Sequence, residues 1–102
     1  MKRNLYTKEE IILCTYIARF GRNEFTEYNI HSLKERSVSS IKMKVQNIAS
    51  MLFENDYEID SNVSKLTGKP PGNKGRLTNW DIVKDLAEMN KNDLFNLCSK
   101  II

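Results

Sequence analysis

Between Thr7 and Gly21 the chain sets Ile12, Leu13, Tyr16, Ile17 and Phe20 at helical spacing behind a Thr7-Lys8-Glu9-Glu10 opening. That opening fits a capping box, in which the Thr7 hydroxyl accepts from the Glu10 backbone N–H and the Glu10 carboxylate reaches back to the N–H of Thr7. Tyr6 and Ile11 stand where a hydrophobic staple places them, and Gly21 supplies a stop, so a first helix is predicted over about 8–20. A shorter helix follows over about 26–35, with Phe25, Tyr28, Ile30 and Leu33 offered for packing. Ser37 then has the chemistry of an N-cap for a third helix over about 38–53. At about 100° per residue, Val38, Ile41, Val45, Ile48, Ala49 and Leu52 share one arc, the core face.

The other arc of that helix is unusual. It holds Ser39, Ser40, Met43, Gln46, Asn47 and Ser50, with Lys42 and Lys44 on its flanks, and no acid occurs from Ser37 to Phe53. Solvated helix faces ordinarily mix both signs of charge. Beyond it, residues 54–65 read as an acidic, solvated connector with a short extended piece around Tyr57–Val63. "ENDYEID" has alternating acids but lacks the Gly and the terminal Glu of a calcium loop. Residues 65–76, "KLTGKPPGNKGR", form a basic Gly/Pro loop without a phosphate-cradle motif. Thr78 or Asn79 caps a fourth helix carrying Trp80, Val83, Leu86, Ala87 and Met89, with Trp80 assigned to the core. After a break at Asn90–Asn92, Asp93 opens a last helix with Leu94, Leu97, Cys98 and Ile101.

The expected fold is therefore all-α, in one domain of 102 residues. It divides into a tri-helical core over 6–53, an acidic-then-basic connector over 54–77 and a C-terminal helical pair over 78–102.

Charge sharpens this picture because it comes in blocks. The chain carries a net charge of only +3. Residues 31–50 hold Lys34, Arg36, Lys42 and Lys44 against Glu35 alone. Residues 51–60 hold Glu54, Asp56, Glu58 and Asp60 without a base, and residues 61–80 hold Lys65, Lys69, Lys74 and Arg76 without an acid. Blocks of this kind point to a basic surface with a polyanionic partner.

The chemistry inventory is small. His31 is the one histidine, so a His-based nuclease centre lacks its second histidine. Cys14, His31 and Cys98 do not cluster as zinc ligands. The carboxylates of the acidic segment show no apolar pocket that would split their pKa values. No catalysis, metal or cofactor is expected. Cys14 and Cys98 sit in apolar helical contexts and read as buried, reduced thiols. Met1-Lys2-Arg3 is followed only by short apolar runs, and nothing approaches the ~20 apolar residues of a membrane span, so a soluble cytoplasmic protein is expected.

With the helices placed, residues 6–52 resemble the Myb/SANT class of helix-turn-helix domain. The likeness rests on Tyr6-Thr7 with Glu9-Glu10, Leu33 with Arg36-Ser37, and Ile41 with Lys44; the regular tryptophans of that class are missing. A closer resemblance is to the N-terminal helical module ahead of the nuclease domain in some restriction-type (HNH) endonucleases. Arg36, Ser37, Ser40, Ile41, Lys44, Asn47, then Gly72-Asn73 and Trp80, follow its order over about three quarters of the chain.

The resemblance implies double-stranded DNA binding without cutting, by helix three entering the major groove through its N-terminal half. Ser39, Ser40, Met43, Gln46 and Asn47 then face bases, where Gln and Asn suit adenine edges and Met suits a thymine methyl. Arg36, Lys42 and Lys44 hold phosphates, joined by Lys69, Lys74 and Arg76 of the loop. Four to six neutralised phosphates correspond to a log–log salt slope of about −4 to −5. One module of this size binds weakly, which leaves room for a homodimer or a larger assembly. The competing expectation is a small phage-type or accessory module that inhibits or regulates a host protein or nucleoprotein. Burial of Gln46 and Asn47 against the C-terminal helices would favour it.

Overall fold

The computed structural model describes residues 6–22, 24–34, 36–60 and 79–102. The elements are α1 (Lys8–Phe20), α2 (Glu27–Lys34), α3 (Val38–Glu54), α4 (Trp80–Ala87) and α5 (Lys91–Ser99). Among the described residues the protein is all-helical, without strands. The basic loop expected over 65–76 lies outside them.

Helix α1 organises the rest. Its capping box forms, with Thr7 N–H donating to Glu10 Oε1 at 2.7 Å and Glu10 N–H donating to Thr7 Oγ1 at 3.2 Å. Every residue from Glu10 to Ala18 is buried, because α2, α3, α4 and α5 all pack against this one helix. The apolar stripe read from the sequence faces only some of them. Cys14, Thr15 and Ala18 complete the enclosure with small side chains that allow close approach. Both Cys14 and Cys98 are buried and unbridged.

The centre of the core is Ile11, Leu13, Ile17, Ile30, Ile41, Val45, Ile48, Leu52, Val83 and Leu94. At one side Tyr16 gathers an aromatic cluster, its ring 5.2 Å from Phe20, 5.4 Å from Phe25 and 5.7 Å from Phe95. Arg19 ties α1 to the C-terminal pair. Its Nη1 donates to the carbonyls of Leu86 and Met89, at 2.8 and 2.7 Å, at and just beyond the end of α4.

Three local expectations are corrected. Tyr28 and Leu33 are exposed rather than packed, because the short α2 turns only a narrow arc inward, carrying Glu27 and Ile30. The described part of the acidic connector is not a solvated linker. The Tyr57 N–H donates to Leu52 O at 2.9 Å, the Asp60 N–H donates to Ala18 O at 2.9 Å, and Tyr57 packs 6.2 Å from the Trp80 ring. Gly21 makes that docking possible, since its φ is +90° and a Cβ there would stand 2.9 Å from the Asp60 carboxylate. Finally, α5 opens at Lys91 rather than Asp93. Asn90 is its N-cap, accepting from the Asp93 N–H at 2.8 Å, so Asp93 is the third helical residue and not the first.

Truncating the hub of the aromatic cluster, Tyr16→Ala, is expected to cost about 3–5 kcal/mol, the usual loss for a large buried ring. Urea denaturation of the two proteins checks it. A loss under about 1 kcal/mol would mean that the cluster is not packed as described.

Candidate nucleic-acid interface

The start of α3 is fixed by charge and by its cap. Ser37 Oγ accepts from the Ser40 N–H at 3.1 Å. One residue earlier, Arg36 reaches back to α1 and grips Glu10 as a fork, with Nε donating to Oε2 at 2.5 Å and Nη2 to Oε1 at 3.1 Å. The same guanidinium lies 3.9 Å over the Tyr6 ring, and the Tyr6 hydroxyl pairs with Ser40 Oγ at 2.9 Å. Glu10 is 2% exposed. Burial pushes its carboxyl up, but the Arg36 hydrogen bonds and the Thr7 N–H outweigh it and leave the pKa below the ordinary carboxylate value.

A second fork closes the other end of α2. Buried Glu27 accepts from Arg22 Nε at 2.8 and 3.0 Å and from Nη2 at 2.6 Å. Burial again raises the Glu27 carboxyl and the Arg22 hydrogen bonds overcome it, so its pKa is lowered as well. His31 adds a hydrogen bond from Nδ1 to the carbonyl of Arg36, which closes the turn between α2 and α3. The turn that leads into α3 is therefore pinned by Arg36 and His31, and the head of α2 by Arg22.

Along α3 the acid-free face changes character. Ser39, Ser40, Lys42 and Met43 are exposed, Gln46 and Asn47 are half-buried, and Ser50 is buried. The continuous exposed run lies in the first half of the helix, and the face surfaces again only at Phe53. Within that half the two lysines differ. Lys42 is exposed and stands 5.7 Å from the ring of Tyr28. Lys44 turns toward the C-terminal pair, donating from Nζ to Asn79 Oδ1 at 2.9 Å, and burial lowers its pKa.

Asn79 occupies the N-cap position of α4 in the left-handed region, φ 68°, and makes no side-chain cap bond; its oxygen is committed to Lys44 instead. Asn47 Oδ1 is buried without a hydrogen-bond partner among the described residues. The structure thus brings Arg36, Ser39, Ser40, Lys42, Met43 and Lys44 to one end of α3, while Lys69, Lys74 and Arg76 lie outside the described residues. Tyr28, 61% exposed, joins this end from α2. No local sequence signal placed it there, because the inward turn of Glu27 is set by its partner Arg22.

No helix among the described residues is long and apolar enough to cross a membrane. Nor do they hold a group of three metal-ligating side chains.

The two forks set an acid dependence. Carboxylates with lowered folded pKa values stabilise the fold fully above about 4.5 and lose that contribution as pH falls through the folded values. Unfolding free energy is therefore expected to decline below about pH 4.5. Arg36→Ala should cost about 3 kcal/mol at neutral pH by leaving Glu10 buried and unpaired, and should blunt the decline. Denaturant titrations at pH 7 and pH 3.5 read both effects; an unchanged Arg36→Ala stability would refute the role given to the fork. Compared with known proteins, the chain matches no family model, no curated protein and no solved structure.

Proposed function

We propose that the protein is a non-catalytic double-stranded DNA-binding protein that lays the first half of α3 into the major groove. The observation that carries the reading is the α3 face itself: it exposes Ser39, Ser40, Lys42 and Met43, and α3 contains no acid from Ser37 to Phe53. An α-helix fits the width of the major groove, and a cation at its flank meets the phosphate rail. The end of the helix is also held rigidly, by the Ser37 cap and the Arg36–Glu10 fork, so little ordering entropy is lost on docking.

The contacts differ in strength within this reading. Lys42 is the principal phosphate contact from α3, with Tyr28 beside it offering a hydroxyl at the rim. Arg36 and Lys44 add positive potential, but each already has a protein partner. Gln46 is the last side chain along the helix with access to a base edge. Lys69, Lys74 and Arg76 of the basic loop add backbone contacts.

A second reading, a module that inhibits or regulates a host protein or nucleoprotein, is favoured by one observation. Tyr28 and Met43 are both large side chains with apolar surface exposed to water, and such exposure is common at protein-binding surfaces.

Fluorescence anisotropy of a labelled random duplex of about 20 base pairs, titrated from low to physiological salt, separates the two. Binding with a steep salt slope is expected, and Lys42→Ala should weaken it and reduce the magnitude of the slope by about 0.9, one phosphate. Lys44→Ala should change the slope less. Absence of binding at low salt would retire the DNA reading in favour of a protein partner.

A further inference from the structure

Exposed apolar side chains on helices are ordinary, but the surroundings of Met43 are not. At 63% exposure it is the most exposed large hydrophobic residue among those described. One turn before it stands Ser39, exposed and short. One turn after it stand Gln46 and Asn47, half-buried, with the Asn47 oxygen turned inward. On its two sides Lys42 is exposed, whereas Lys44 is drawn away to Asn79. Met43 therefore stands above its neighbours at the end of the exposed run Ser39, Ser40, Lys42 and Met43, and it is the one apolar tip in that run.

A major groove offers mostly hydrogen-bonding atoms, and its one apolar feature is the methyl group at C5 of a pyrimidine. A thioether side chain is unbranched and polarisable, so it can settle against a small methyl without demanding a fixed geometry. The absence of acid along α3 from Ser37 to Phe53 and the adjacent Lys42 match the negative potential of a duplex.

We infer that Met43 recognises the 5-methyl group of a pyrimidine in duplex DNA and gives this surface its preference among sequences. The inference rests on the DNA-binding reading of α3. Two bases present the group, thymine and 5-methylcytosine, and the chemistry at Met43 is the same for both.

The test removes the methyl without altering base pairing. Random 20-base-pair duplexes are prepared in three forms, with thymine, with uracil in place of thymine, and with uracil plus 5-methylcytosine in place of cytosine. Each competes against a labelled duplex for the protein. Removing one buried methyl corresponds to about a fourfold loss of affinity, so the uracil pool should bind roughly threefold to tenfold more weakly than the thymine pool. Restoring methyl groups on cytosine should recover binding; if it does not, the recognised methyl belongs to thymine alone.

Met43→Ala should bind all three pools at the level of the uracil pool. Met43→Leu, which keeps an apolar tip, should retain the preference. The exposure of Met43 leaves the core untouched in either variant, and circular dichroism checks that both fold. Equal binding of the thymine and uracil pools, with the salt dependence and the Lys42→Ala loss still present, would overturn the inference and leave the DNA reading standing. Failure of every pool to bind at low salt would overturn both.

Discussion

The interaction on which the rest depends is the grip of Arg36 on Glu10. One carboxylate, almost wholly removed from water, performs two tasks. It caps the backbone of Thr7 at the head of α1, and it receives the guanidinium that leads into α3. A buried carboxylate left alone is costly, so Arg36 has little freedom to be elsewhere. The stacking of that guanidinium on Tyr6, and the pairing of the Tyr6 hydroxyl with Ser40, carry the constraint into the first turn of α3. The exposed face of α3 is consequently positioned by groups that lie behind it. A surface meant to match the fixed spacing of another macromolecule gains from that arrangement, because its geometry does not have to be established at the moment of contact.

Positive charge in the molecule is divided between structure and surface. Arg22, Arg36, Arg19 and Lys44 each hold part of the fold together, whether through a carboxylate, a helix end or an amide oxygen. Lys42 is left facing water beside the Tyr28 ring. A count of basic residues would therefore overstate the field that a polyanion meets at close range, although the long-range attraction depends on the sum. The absence of acid along α3 matters more than the number of bases.

Much of this fold was legible in the sequence because its signals are local. The Thr7–Glu10 box, the Ser37 cap and the 3.6-residue stripe of α3 each lie within a few residues, and they placed α1 and α3 almost to the residue. The exposure of Ser39, Ser40, Lys42 and Met43 was legible for the same reason. The departures are tertiary. Nothing near Tyr28 says that α2 buries only Glu27 and Ile30, nothing near Asp60 says that Gly21 leaves it room, and nothing near Lys44 says that Asn79 will claim it. Asn79 also shows why cap residues mislead: an Asn at an N-cap position was readable, but its side chain bonds a lysine 35 residues away instead of the helix it heads. The Arg36–Glu10 fork spans 26 residues, and periodicity carries no trace of such a pair.

The enclosure of α1 reaches beyond packing. A helix buried over nine consecutive residues, against the helices that follow it directly and against the pair at the C-terminal end, cannot be completed by the first half of the sequence alone. Were α4 and α5 taken away, the side of α1 that they cover would become an oily stripe in water, and Arg19 would lose both of its carbonyls. Helices α1 to α3 are thus not a free-standing unit carrying an appendage. Folding is expected to be all-or-none across the chain, and the shape of the α3 surface is bought with contacts made at the far C-terminal end.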